Sequence, residues 1–329
     1  MDDGLKEKLP GVEQGVLLKD YTSFKIGGPA KYFFNARTNQ DLTRAIKAAK
    51  ELDIPFFILG GGSNLLVSDN GFNGLVIRVC NSRLEAQNSH LIASAGAKLI
   101  DLVSLAAESS LAGFEWAAGI PGTLGGAVSG NAGAFSKWMN NVVDWVDVFD
   151  AQSLAVKKLD NQECEFGHKI SIFKKKPNLI ILSAKIRLEK GDKTKIQKQI
   201  NEYIELRKQK HPLDFPSAGC VFENYVPKKN EWRPEFVQFK KLGAIPTGFL
   251  IDQCGLKGSI VGQAQISEKH ANFIINLGGA SSQDVVDLIN LAKTKVKQKF
   301  GIDIKEEIQY LGFFTPCGKV CNPAGCTRF

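Results

Sequence analysis

The N-terminal part of the chain alternates between short apolar runs and one amphipathic stretch. Residues 30–36 and 55–59 are brief and largely apolar, as buried strands are. Between them, residues 39–52 carry apolar side chains at the i, i+3, i+4 spacing of a helix face, namely Leu42, Ala45, Ile46, Ala49 and Leu52. The pattern therefore predicts a β-α-β unit that ends near residue 59.

The remaining pattern alternates strands and helices and shows no internal repeat. We expect a hairpin around the polar turn 150–153, and a serine N-cap in front of the last long helix. The predicted strands cover residues 74–80, 91–95, 142–149, 154–159, 179–188 and 274–276, and the predicted helices cover residues 99–111, 194–210 and 282–300. This alternation predicts a mixed α/β and α+β protein.

Two glycine-rich blocks follow apolar runs and are the most informative motifs. The first is Gly60, Gly61, Gly62, Ser63 and Asn64, and the second is Gly119-Ile-Pro121-Gly122-Thr-Leu-Gly125-Gly126-Ala127, which continues to Asn131. Glycine allows backbone N–H groups to approach a ligand closely, and successive N–H groups form nests for anions such as a pyrophosphate. Either block alone also fits an ordinary loop. Together they predict one large phosphate-bearing cofactor held between them.

The first block is not a familiar nucleotide-binding motif. A dinucleotide fingerprint needs G-x-G-x-x-G at the start of a helix, whereas Gly62 is followed by Ser-Asn-Leu-Leu-Val, which is typical of a strand or tight turn. No P-loop lysine follows the first block. The sequence therefore argues against the usual doubly wound dinucleotide fold.

Composition limits the functional classes. The chain has 329 residues, which favours two or three domains, and no apolar run is long enough to predict a membrane span. The net charge of +8 is spread out, and the lysine runs 174–176 and 293–299 lack interleaved aromatic residues. We expect both runs to be solvated faces and expect no nucleic-acid partner. The polar N-terminus predicts a cytoplasmic protein.

The seven cysteines predict free thiols rather than disulfides. Cys80 and Cys164 look like single core or surface thiols. Cys317, Cys321 and Cys326 lie in a Gly/Pro-containing tail without histidine, one ligand short of a closed zinc site. We therefore predict no metal site.

The order of motifs resembles the UDP-N-acetylenolpyruvoylglucosamine reductase family, flavoenzymes of peptidoglycan precursor synthesis. The resemblance covers nearly the whole chain, from Thr22-Ser-Phe-Lys-Ile-Gly-Gly28 to Gly312. Between these ends it includes both glycine blocks, Pro216-Ser-Ala-Gly-Cys220, Gly255-Leu-Lys-Gly258 and His270-Ala-Asn-Phe273. The segment between Leu188 and Arg207 has no Tyr-rich insertion, which resembles the family type that lacks a substrate-covering loop.

The resemblance implies a vanillyl-alcohol-oxidase-type FAD-binding fold in two parts, with a C-terminal α+β domain over the substrate. It places the first FAD subdomain at residues 1–82, joined by the C-terminal segment 301–314, and the second at residues 83–205. The substrate-binding domain would cover residues 206–300, and residues 315–329 would form the cysteine-containing tail.

The resemblance also implies the chemistry. NADPH would reduce a non-covalent FAD, and the enolpyruvyl group of UDP-N-acetyl-3-O-(1-carboxyvinyl)-glucosamine would then take a hydride and a proton to give UDP-N-acetylmuramate. Cys220 matches the family's proton donor, and a thiol is acidic enough to donate at neutral pH. Glu307 matches the catalytic glutamate, although Glu306 is adjacent and the register could differ by one.

The resemblance also implies which residues contact the cofactor and the substrate. The glycines and neighbours of both blocks are expected to hold FAD, while Asn224, Lys257, His270 and Arg207 are expected to contact the substrate. Lys169 stands where the family has an arginine, and His168 where it has a tyrosine; a lysine keeps the charge but loses the bidentate fork. His211 and Glu223 also depart from the family's glutamine and lysine.

Three interpretations remain open on sequence alone. The first is the reductase, with no obligate protein partner evident. The second is another FAD-dependent oxidoreductase of the same fold, and the third is a non-catalytic flavin-binding protein, supported only by the departure at His168 and Lys169.

Overall fold

A computed structural model describes residues 2–228 and 232–313. Its first part joins a mixed sheet to a covering helix. The elements are α1 (Asp2–Lys8), β1 (Glu13–Leu17), β2 (Pro29–Ala36), α2 (Asn39–Glu51), β3 (Phe56–Leu59), β4 (Leu65–Val67) and β5 (Phe72–Val79). The sheet order is β1-β2-β5-β3, with β5 parallel to both β2 and β3. The predicted β-α-β unit is confirmed, and Thr38 caps α2 with a capping box.

The middle part forms a second, antiparallel sheet in the order β12-β11-β13-β7-β6. Its elements are β6 (Leu84–Gln87), β7 (His90–Ser94), α3 (Leu99–Glu108), β8 (Leu111–Ala112), α4 (Leu124–Ser129), β9 (Gly133–Ala134), β10 (Lys137–Trp138), β11 (Val143–Asp150), β12 (Ala155–Asp160), α5 (Ile172–Lys175), β13 (Leu179–Arg187), β14 (Glu189–Lys190) and α6 (Lys193–Lys210). The hairpin between β11 and β12 is confirmed.

The C-terminal part forms a third sheet in the order β15-β18-β17-β16, covered by two helices. Its elements are β15 (Ser217–Cys220), α7 (Thr247–Gln253), β16 (Ile260–Val261), β17 (Ala264–Ile266), β18 (Phe273–Asn276), α8 (Ser282–Phe300) and β19 (Gln309–Leu311). Short 3₁₀ helices cover Leu18–Tyr21, Glu115–Ala117, Met139–Asn141 and Pro234–Leu242. The predicted serine cap is confirmed: Ser281 accepts a hydrogen bond from the backbone N–H of Asp284.

Two predicted boundaries differ from the structure. The helix expected over residues 99–111 ends at Glu108, because Ser110 adopts a positive φ and Leu111 instead pairs with Lys190 in a short two-stranded ladder. The strand expected to begin at residue 154 begins at Ala155, because Leu154 has a positive φ in the turn. In both cases a left-handed turn residue, which apolar periodicity does not reveal, moves the boundary.

The chain returns to its beginning near the C-terminus. Strand β19 runs parallel to β4, and the backbone N–H of Gln309 donates to the carbonyl oxygen of Asn64. Each of the three larger sheets draws its strands from one continuous stretch of chain. We keep the domain ranges given above as a proposal. The tail with Cys317, Cys321 and Cys326 lies outside the described residues.

Candidate active site

A large cleft of about 1680 Å³ runs between the two N-terminal sheets and the C-terminal sheet. Ligand sites for drug-sized molecules typically measure about 300–1,000 Å³, so this cleft has room for a cofactor and a second ligand. Both glycine blocks line it, as do Lys169, Cys220 and Glu307.

The two glycine blocks touch each other and together form part of the cleft wall. A Cβ added to Gly61 would lie 2.7 Å from the Cα of Gly122, and one added to Gly122 would lie 2.9 Å from Ser63 Oγ. The Ser63 hydroxyl also donates to the carbonyl oxygen of Pro121 at 3.0 Å. Glycine is therefore required at these positions because the blocks touch, and Gly122 has in addition a φ of +121°.

The blocks offer hydrogen-bond donors to a ligand. Within residues 2–228 and 232–313, no protein acceptor is found for the backbone N–H groups of Gly61, Gly62, Ser63 and Gly122. A Cβ added to Gly126 would meet nothing closer than Thr123 Oγ1, at 3.7 Å, although Gly126 lines the cleft. Unpaired amides beside open space suit an anionic group such as a pyrophosphate.

Three of the predicted cofactor contacts also have structural partners. The Asn64 side chain donates to the carbonyl oxygen of Glu307 at 3.1 Å, which connects the first block to the C-terminal segment. Asn131 is buried, is not found among the described residues that line the cleft, and donates to the carbonyl oxygen of Gly167 at 2.8 Å. Gly125 is held by a backbone hydrogen bond to Ala95. The remaining predicted contacts, Gly60, Gly119, Pro121 and Ala127, also line the cleft.

Cys220 ends strand β15 beside three charged side chains. The pKa of the Cys220 thiol is raised to about 12, mainly by burial and also by the Glu307 carboxylate, while Lys169 and Arg207 act to lower it. The thiol therefore keeps its proton at neutral pH. The N-terminal part of the chain holds the start of this strand, because the Ser23 hydroxyl donates to the carbonyl oxygen of Ser217 at 2.7 Å.

Lys169 and Glu307 form an ion pair, with 2.8 Å between Lys169 Nζ and Glu307 Oε1. The exposed fractions of the two side chains are 21% and 16%, so the pair is largely shielded from water. Glu306 points elsewhere: it is 1% exposed and pairs with Lys293 at 2.8 Å. Glu307, and not its neighbour, is therefore the glutamate that meets Lys169 in the cleft.

Arg207 also faces this region. Its guanidinium lies over the Phe135 ring at 5.7 Å, and its Nε is buried without a hydrogen-bond partner among the described residues. Its side chain passes so close to Gly119 that a Cβ there would lie 2.9 Å from Arg207 Cδ. Arg207 thus contacts the second glycine block as well as influencing Cys220.

The other predicted substrate contacts are Asn224, Lys257 and His270, and only Asn224 lines the cleft among the described residues. Asn224 lines the cleft, and its side-chain oxygen accepts from the backbone N–H of Thr247. Lys257 pairs with Asp252 at 2.9 Å, and His270 packs against His211 and Phe273. Among the described residues that line the cleft, neither Lys257 nor His270 is found.

The expectation that residues 174–176 form a solvated face is wrong for Lys174. Lys175 and Lys176 are exposed, and Lys175 pairs with Glu165, but Lys174 is half-buried. Lys174 and Lys175 both line the cleft. The structure explains the difference: Ile172 and Phe173, immediately before Lys174, are buried and fix the orientation of α5. Trp138, which packs edge-on against His168, and Ser23 were likewise not identified from sequence.

In the part of the chain that the structure describes, no helix is long and apolar enough to cross a membrane.

Comparisons with known proteins agree with this site. A family model for an FAD binding domain matches residues 30–157. A second model, for the C-terminal domain of UDP-N-acetylenolpyruvoylglucosamine reductase, matches residues 211–311. The first match contains both glycine blocks, and the second contains Cys220 and Glu307. The cofactor of this family is therefore FAD, and the vanillyl-alcohol-oxidase-type fold class is confirmed.

Whole-chain relatives carry the same family name. UDP-N-acetylenolpyruvoylglucosamine reductase from Caldanaerobacter subterraneus is 41% identical over 296 residues, which is 90% of this chain and 92% of that protein. The enzyme of the same name from Clostridium tetani is 37% identical over 302 residues, 92% of each chain.

A solved structure supports both fold and family. The crystal structure of UDP-N-acetylenolpyruvylglucosamine reductase from Thermus caldophilus matches with a TM-score of 0.74 and 34% identity, over 91% of this chain and 98% of that one. Because the match covers 91% of this chain, it includes both the glycine blocks and the C-terminal sheet. The chain therefore belongs to the UDP-N-acetylenolpyruvoylglucosamine reductase family of FAD-binding oxidoreductases.

Proposed function

We propose that this chain reduces UDP-N-acetyl-3-O-(1-carboxyvinyl)-glucosamine to UDP-N-acetylmuramate, with FAD as bound cofactor and NADPH as reductant. One observation carries the proposal: a protonated thiol and an ion pair lie in the same cleft as two contacting glycine blocks. The names of the relatives supply the substrate. Such an enzyme serves peptidoglycan synthesis, and hence cell shape and division.

The residues present fit FAD. The unpaired amides of Gly61, Gly62, Ser63 and Gly122 would bind the pyrophosphate, and Gly126 leaves space for it. The remaining members of the two blocks would line the bound cofactor without a covalent link. When bound, FAD accepts a hydride from NADPH and delivers it to the enolpyruvyl group.

Cys220 would supply the proton that completes the reduction. Hydride addition to the vinyl methylene leaves negative charge on the carbon α to the carboxylate, and the Cys220 S–H would transfer its proton to that carbon. The resulting thiolate would be reprotonated from solvent. The raised pKa of Cys220 keeps the proton in place until the carbon becomes strongly basic.

Lys169, Glu307 and Arg207 would control charge during this step. The Lys169 ammonium would face the substrate carboxylate and the developing enolate as a point charge, and Glu307 would orient it. Arg207 would stabilise the Cys220 thiolate once it forms, because its guanidinium lies close enough to Cys220 for the two charges to interact. A desolvated site strengthens each of these interactions.

Asn224, Lys257 and His270 would contact the UDP-sugar at the C-terminal side of the cleft. Asn224 is already there, whereas Lys257 would have to release Asp252. We propose a cytoplasmic location, because NADPH and nucleotide sugars are cytoplasmic metabolites, and we propose neither nucleic-acid nor obligate protein partners.

The test is consumption of NADPH by the purified, FAD-loaded protein. We expect NADPH oxidation that depends on the enolpyruvyl sugar and yields UDP-N-acetylmuramate. Protein stripped of FAD is the control and should recover activity on reconstitution. A chain that binds no FAD, or that oxidises NADPH equally well without the sugar, would refute the proposal.

A further inference from the structure

Lys169 sits on a tight turn whose conformation is unfavourable for a lysine. Gly167 and Ile170 exchange two backbone hydrogen bonds of 2.9 and 3.3 Å, and Lys169 between them has a φ of +57°. A left-handed conformation at a residue with a long side chain is uncommon and persists where the surroundings enforce it. The ion pair with Glu307 therefore depends on whatever holds this turn.

The turn is held from both sides. Asn131 donates to the carbonyl oxygen of Gly167 at 2.8 Å, and the Ser171 hydroxyl donates to the carbonyl oxygen of Ser129 at 2.6 Å. The third contact comes from Lys174, whose Nζ donates to the carbonyl oxygen of Lys169 itself at 2.8 Å. This last contact acts directly on the residue with the positive φ.

The Lys174 side chain is half-buried and points toward the Lys169 carbonyl oxygen. It projects from α5, whose Ile172 and Phe173 are buried, so its backbone position is fixed by the core. Burial lowers the pKa of Lys174, while the carboxylates of Glu307 and Glu223 raise it. Among residues 2–228 and 232–313, no carboxylate oxygen lies within 4.0 Å of Lys174 Nζ, the limit for an ion pair. Its described hydrogen bond is therefore the one to Lys169.

We propose that Lys174 is a positioning residue: it fixes the turn at Lys169 through the Lys169 carbonyl oxygen and so keeps the Lys169 ammonium against Glu307. The proposal deepens the proposed function and rests on it for its kinetic consequence. Lys174 acts through Lys169, so its loss should matter only while the Lys169 side chain is present.

The experiment measures anaerobic reoxidation of pre-reduced enzyme by the enolpyruvyl sugar. Lys174→Met should slow this half-reaction about 10- to 100-fold, the range for loss of one charge-assisted hydrogen bond. Reduction by NADPH should change less than about twofold by comparison, since the step that uses Lys169 comes later. Lys174→Arg, which keeps charge and donors, should recover most of the rate.

A double-mutant cycle separates positioning from direct substrate contact. Lys169→Met with Lys174→Met should be no slower than Lys169→Met alone, because the two residues act in series. Effects that multiply would overturn the proposal. Lys176→Met is the matched control: Lys176 is exposed and lies outside the cleft lining, so the rate should stay at wild type.

A crystal structure of Lys174→Met provides a readout that needs no activity. The distance between Lys169 Nζ and Glu307 Oε1 should lengthen beyond the 4.0 Å of an ion pair. An unchanged pair would contradict the proposal. If wild-type enzyme itself fails to react with the sugar, the proposed function has failed, and this distance still decides the role of Lys174.

Discussion

At the scale of single residues, Cys220 links the chemistry to the fold. Its thiol is desolvated and keeps its proton, while its strand is tied to the first glycine block through Ser23. Ser23 contacts both sides, because its backbone N–H donates to the carbonyl oxygen of Gly62 at 3.1 Å. One short segment therefore positions both Cys220, the proposed proton donor, and the first glycine block, the proposed cofactor contact.

Cys220→Ala should separate the two half-reactions. Bleaching of the flavin by NADPH should proceed, because no proton from Cys220 is needed there. Reoxidation by the enolpyruvyl sugar should slow by about 10²–10⁴-fold, the contribution of a general acid. Stopped-flow absorbance measures both steps. Cys220→Ser, which keeps a donor, should retain more activity than Cys220→Ala; equal loss in both half-reactions would make Cys220 structural.

Lys169→Ala should reduce kcat about 10²–10³-fold, because it removes a preorganised charge and leaves Glu307 without its partner. Lys169→Arg should retain or raise turnover, since the guanidinium restores a planar fork. Steady-state kinetics with varied sugar concentration distinguish an effect on kcat from one on KM. Wild-type turnover in Lys169→Ala would show that the ion pair has no part in the reaction.

At the scale of elements, the two glycine blocks touch, and the proposed cofactor site lies where they meet. Gly61 and Gly122 cannot carry a side chain because the blocks touch there. Gly126 differs, since the protein itself leaves room for a methyl group. Gly126 therefore offers a way to test ligand space separately from folding.

Gly126→Ala should fold with a wild-type melting temperature but bind FAD more weakly, because its methyl group would occupy space meant for the cofactor. Gly4→Ala is the control: it lies in α1, and its nearest contact would be an ordinary 3.7 Å. Equilibrium titration of apoprotein with FAD, followed by flavin fluorescence, measures the affinity. Unchanged affinity in Gly126→Ala would place the pyrophosphate elsewhere.

Sequence patterns identified the elements better than their ends and their contacts. The periodicity of residues 39–52 and 282–300 located α2 and α8, because a face packed on a core repeats along the chain. Positive φ values at Ser110 and Leu154 moved two boundaries and left no such repeat. The orientation of Lys174 toward the cleft could not be predicted either, because a four-residue helix is too short to show an apolar period. Motif order indicated Cys220 and Lys169, but their proximity to Glu307 required the return of β19 to β4.

At the scale of the whole molecule, two half-buried histidines, His211 and His270, connect stability to pH. The pKa of His211 is lowered to about 4 by burial, with smaller contributions from Arg207 and His270. Burial also lowers the pKa of His270. Both rings are therefore neutral in the folded state over a range where the unfolded chain is protonated.

The folded protein should lose stability as the pH falls from 6.5 toward about 4, because the unfolded chain then binds more protons at His211. The stabilisation is fully present above 6.5. The loss should be about 1–2 kcal/mol, less than the full pKa shift because the ring is partly solvated. His211→Gln should flatten this dependence when apparent melting temperatures are compared across the range. An equally steep fall in that variant would assign the effect to other groups.

The proposed reaction is tested most directly by a single anaerobic turnover. Enzyme carrying FAD is reduced with one equivalent of NADPH, and UDP-N-acetyl-3-O-(1-carboxyvinyl)-glucosamine is then added without oxygen. We predict that the oxidised flavin spectrum returns and that mass spectrometry finds UDP-N-acetylmuramate in an amount equal to the flavin. A flavin that stays reduced after addition of the sugar, with no product formed, would contradict the account.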